Sequence, residues 1–106
     1  MARYRVAVGE FDPELRPGSQ AWNHLARSLE RASPDLLLMC ELSFGQWLSS
    51  REEFDPDLWQ RSIEAHQEGV AALGELDVPV VLGSRSIELE GLRCNESFVW
   101  TPGRAS

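Results

Sequence analysis

The chain has 106 residues, a charged fraction of 25% and a formal net charge of -7. That length fits one domain with a modest core, and the composition is that of an ordinary globular protein. The acidic balance argues against a nucleic-acid partner or an anionic membrane surface, since both need a basic patch. No run approaches the ~20 apolar residues of a membrane helix, and the first apolar run, Val6 to Val8, is too short for a signal peptide. Two cysteines, Cys40 and Cys94, give no disulfide framework. The expected setting is cytoplasmic. All ten basic residues are arginine, so the chain contains no lysine.

Tyr4 to Phe11 is predicted as a first strand, on its β-branched content and the stop at Asp12-Pro13. Pro17-Gly18 then breaks the chain and Ser19 is placed to cap a helix over Gln20–Ala32. Trp22, Leu25, Ala26 and Leu29 fall on one face of that helix. Ser33-Pro34 ends it. Leu36 to Cys40 is predicted as a second strand, and its unbroken apolar run implies burial on both faces, as in a parallel sheet.

Asp55-Pro56 supplies a cap and an N1 proline for a second helix. Trp59, Ile63, His66, Val70 and Leu73 form its apolar stripe. Beside them Ala65, Gly69 and Ala72 make a strip of small residues that permits close approach to a sheet. The helix is expected to end near Asp77, followed by a third strand over 78–83. A turn at Glu90-Gly91 then leads to a fourth strand over 93–101. The order β-α-β-α-β-β, without repeat or linker, predicts a single α/β unit spanning 1–106, with helical crossovers between parallel strands.

Burying an ionised carboxylate is costly unless it is paired, so Glu41, at the lip of the apolar strand LLLMC, calls for a reason. Four signals in order bear on it: a VAV-type first strand, LLLMCEL with its terminal glutamate, VPVVLGS ending in Gly83-Ser84, and Asn95 opening a strand that closes in Pro102-Gly103. Together they resemble the N-terminal part of the carbon-nitrogen hydrolase (nitrilase and amidase) superfamily. The resemblance covers the whole chain but only about a third of that family's domain. It implies part of an α-β-β-α sandwich and a Glu-Lys-Cys mechanism acting on a small-molecule amide or nitrile. In that mechanism a carboxylate takes the thiol proton and an ammonium stabilises the tetrahedral intermediate.

Of those roles the resemblance carries only the general base onto this chain, at Glu41. Cys40 stands where the family usually has proline, the lysine is absent, and the nucleophile lies beyond these residues. Strand neighbours point to opposite faces, which separates Cys40 from Glu41, and Cys94 sits at an ordinary strand position. Phe44 and Trp47 are candidates for lining the substrate pocket, or else for packing the loop. His66, on the apolar stripe, reads as a buried hydrogen-bonded histidine, and His24 has no second ligand at metal spacing. Asn95 is expected to satisfy backbone groups, and the Asn95-Glu96-Ser97 acceptor pattern reads as a chance match on a cytosolic strand. Arg51 to Glu53 reads as a solvated loop. No cofactor or metal is expected.

The chain alone is expected to be inactive and to self-associate or need a complementing chain. Two helices can cover one face of a four-stranded sheet and leave the other bare. The alternatives are a non-catalytic α/β binding module, or a fragment without activity of its own.

Overall fold

The computed structural model describes residues 3–10, 15–45 and 54–105, with residues 104 and 105 as backbone only. Its elements follow the order β1 (Val6–Gly9), α1 (Gln20–Ala32), β2 (Leu36–Met39), α2 (Pro56–Ala71), a 3-10 turn (Leu73–Leu76), β3 (Val81–Leu89), β4 (Leu92–Thr101) and a two-residue β5 (Arg104–Ala105). The strands lie side by side as β1-β2-β3-β4-β5, parallel across β1, β2 and β3 and antiparallel from there on. The fold is a mixed α/β unit.

The helix boundaries follow from their caps. Ser19 accepts the Trp22 amide at 3.1 Å, and α1 ends where Ser33, in the left-handed region, donates its amide to the Leu29 carbonyl ahead of Pro34. Asp55 accepts the amides of Asp57 and Leu58, and Pro56 occupies the first helical position of α2. The second helix stops at Ala71, short of the end near Asp77 that the sequence suggested. Gly74 and a left-handed Asp77 close the chain in a separate 3-10 turn instead.

The third strand is also displaced from the expected 78–83. It starts at Val81 and runs to Leu89, because nine residue pairs join it to β4. That pairing closes through Glu90 and Gly91, both at positive φ (52° and 79°), as a tight type I′ connection requires. The first strand is shorter than the sequence suggested, at Val6–Gly9. Its entry is clipped to the end of α1: the Arg5 guanidinium donates to the Ala32 carbonyl at 2.7 Å and the Arg5 amide to Asp35 at 2.8 Å.

Three consecutive parallel strands wound in one direction put both crossover helices on one face of the sheet. The burial pattern agrees. Register aligns Ala7, Leu37, Val81 and Trp100 across four strands. That row joins Trp22 and Leu29 of α1 and Val70 of α2, with Leu73 of the 3-10 turn, in one core. The adjacent row, Val8, Leu38, Leu82 and Val99, faces the other way. Leu37 is 0% exposed and Leu38 41%, so the apolar run of β2 is not buried on both faces by this chain. Glu41 lies at the carboxyl end of that strand, just beyond Met39.

Candidate functional site

The chain leaves β2 through a tight turn over 41–45, and Leu42 takes a left-handed φ of 49°. A leucine gains nothing from that region, which costs on the order of 1–3 kcal/mol and persists only where neighbours over-determine it. Here they do. The Leu42 amide donates to Ser84 Oγ at 2.9 Å, Ser43 Oγ donates to the Cys40 carbonyl at 2.7 Å, and the Ser43 carbonyl accepts the Leu15 amide at 3.0 Å. The turn is therefore tied to its own strand, to β3 and to the segment before α1.

This anchoring presents Glu41 outward, and its side chain is exposed rather than buried. Asn95, midway along β4, donates its Nδ2 amide to Glu41 Oε1 at 2.8 Å. The sequence suggested that Asn95 serves backbone groups; it grips the carboxylate instead, leaving the other oxygen free of the Asn95 bond. Glu41, Ser84, Asn95 and Ser97 form the polar end of a groove of about 520 Å³, whose remaining walls include Leu38, Leu82 and Val99. An anchored carboxylate facing an apolar surface is an arrangement that can accept a proton from a group brought against it.

The other candidates fall elsewhere. Phe44 does not line this groove. It is buried in the core, its ring 6.3 Å from Trp22 and edge-on to His66 at 5.7 Å. The small-residue strip of α2 explains why: a Cβ on Gly69 would lie 2.3 Å from the Phe44 ring. Gly69 thus accommodates an aromatic ring from the turn rather than the sheet itself. Trp47 and residues 51–53 lie outside the described residues. Cys40 Sγ is 3.2 Å from Ser43 Oγ, and Cys94 Sγ is aimed at its own strand's Leu92 carbonyl. Neither thiol is bonded to Glu41. Among the described residues no group of three histidine, cysteine or carboxylate side chains could hold a metal ion, and no helix is long and apolar enough to cross a membrane.

Beneath the turn lies a polar cluster that the sequence only half disclosed. His66 is fully buried. Its Nδ1 lies 2.7 Å from the Ser62 carbonyl, so that nitrogen carries the proton and donates. Ser62 Oγ is bonded to Ser86 Oγ of β3 at 2.9 Å. His66 Nε2 is buried without a hydrogen-bond partner, a deficit worth on the order of 1–3 kcal/mol. Burial holds the His66 pKa below the usual histidine range, outweighing the backbone groups of Ser62 and Leu42, which favour the charged form. The imidazole is therefore neutral near pH 7. Helical spacing marked His66 as buried, but nothing local marked its contact with the turn.

No protein-family model matches the chain, and neither a curated protein nor a solved structure does.

Proposed function

We propose that this chain supplies the general-base carboxylate, Glu41, of a thiol-dependent hydrolase acting on small amides or nitriles. The observation that carries the reading is the anchoring of Glu41: it stands at the carboxyl end of a parallel strand, held by Asn95 at 2.8 Å, at the polar end of an apolar groove. Open α/β sheets place ligands at that end of their strands. The thiol and the cation that such chemistry requires come from groups other than these residues. The chain has no lysine, and Cys40 and Cys94 are engaged elsewhere. In the assembled site the thiol proton passes to Glu41 as sulfur attacks the substrate carbon, which spares the enzyme a free thiolate at neutral pH.

The test uses the complete open reading frame that encodes these residues, assayed for ammonia release from a panel of small amides and nitriles. Glu41→Gln keeps the acceptor for Asn95 but removes the base, so kcat should fall by roughly 10²-fold or more with folding intact. A variant that turns over like the parent defeats the general-base role.

A second reading has its own observation. The apolar row of exposed Val8, Leu38 and Val99 with half-buried Leu82 suits a binding module whose outer face meets another protein surface. A complete reading frame without hydrolytic activity, in which charge placed at Leu38 abolishes association, would favour it.

A further inference from the structure

We propose that His66 is a positioning residue, a proton-sensitive latch that holds the Glu41 turn in place while the imidazole is neutral and releases it when the ring gains a second proton. The geometry carries this. A Cβ on Gly45 would lie 3.0 Å from His66 Cε1, and the Phe44 ring stands edge-on to the imidazole, so the turn rests directly on it. Nδ1 is already committed to the Ser62 carbonyl, and Nε2 has no partner. A proton added at Nε2 creates a buried donor with no acceptor already in hydrogen-bonding position. The Leu42 backbone favours the charged ring, and Leu42 is the residue held at a φ of 49°. Satisfying the new N–H means re-aiming that peptide or admitting water, and either one shifts Glu41.

The Ser62 and Leu42 backbone groups favour the charged ring, but burial outweighs them, and no described charged side chain adds to their help. On the turn, Glu41 is bonded to Asn95, and Cys40 beside it to Ser43. On β3, Arg85 is paired with Glu96 and Glu88 accepts the Trp59 indole N–H. Asp57, Arg61, Glu64 and Glu68 of α2 are exposed. Among the described residues no carboxylate is hydrogen-bonded to the imidazole, so a second proton is unpaired there.

Any effect on turnover rests on the reading of Glu41 given above, but the latch itself is tested without substrate. Hydrogen exchange of the whole chain is followed by NMR from about pH 7.5 to 5, corrected for the intrinsic exchange rate. The informative amides are Leu42, bonded to Ser84, and Leu15, bonded to the Ser43 carbonyl. Opening at both should grow toward tenfold per pH unit below about 6.5, the ordinary histidine value. The Ser33 amide at the end of α1 should show no such slope. His66→Gln should flatten the slope, and His24→Gln should leave it unchanged. Equal slopes at all three amides would mean global unfolding and would overturn the latch, as would a slope that survives His66→Gln. Should His66→Gln fail to fold, the His66 Cε1 proton in the parent decides: its midpoint must coincide with that of the Leu42 amide, and separate midpoints refute the latch. A flat profile with an active hydrolase removes only the latch; a latch without hydrolysis removes only the enzymatic reading.

Discussion

The two faces of one sheet divide this protein. Ala7, Leu37, Val81 and Trp100 lie across four strands under the helices; Val8, Leu38, Leu82 and Val99, one residue along in each strand or its antiparallel partner, lie on the bare side. The two rows are similarly apolar, yet Leu37 is 0% exposed while Val8 is 70% and Val99 45%. The lesson is that an unbroken aliphatic strand states a need for two covers, and two helices on one side meet only half of it.

The largest effect that sharpens this contrast is a pair of truncations. Leu37→Ala should cost about 2–5 kcal/mol in denaturant unfolding, whereas Leu38→Ala should cost under about 1 kcal/mol in dilute monomer. Equal costs would show that the outer row is covered in solution. Gly69→Ala comes next, at about 1–3 kcal/mol, because its methyl would collide with Phe44. A wild-type melting temperature would mean that the ring moves aside freely.

Acid should act on the covered face as well. The folded chain resists protonating His66 while the unfolded chain does not, so the unfolded state binds more protons below the ordinary value of 6.5. This contribution to stability is level above that pH and declines as pH falls below it. Urea midpoints in the parent and in His66→Gln check the sign. The smallest effect belongs to the Arg85–Glu96 pair, 2.7 Å apart but partly solvated. A double-mutant cycle there should give about 0.2–1 kcal/mol, shrinking in salt.

The helices were legible because their signals are local. Ser19, Ser33-Pro34 and Asp55-Pro56 act within a turn of themselves, and α1 matches its expected bounds. β3 was misplaced because Ser84 to Leu89 is strand only by virtue of β4, a partner that no local pattern names. The same holds at the site. The run LLLMC announces where Glu41 stands, but its grip by Asn95 spans 54 positions and depends on hairpin register. Phe44 was open to two readings in sequence, and the space above Gly69 decides between them.

The unequal strands also imply an order of events in folding. Only Leu37–Val81 and Leu38–Leu82 join β2 to β3, so most of the β3–β4 ladder closes through a two-residue turn without help from β2. Hairpins form in about 1–10 μs, whereas each parallel pairing waits for a long crossover to close. Trp59 and Ser62 of α2 already reach the hairpin through Glu88 and Ser86. The hairpin with α2 should thus assemble early, and β1 with α1 should dock late. Pulse-labelling of amides during refolding would read this as protection at Ser86 before protection at Val8; the reverse order would place the nucleus in the parallel half.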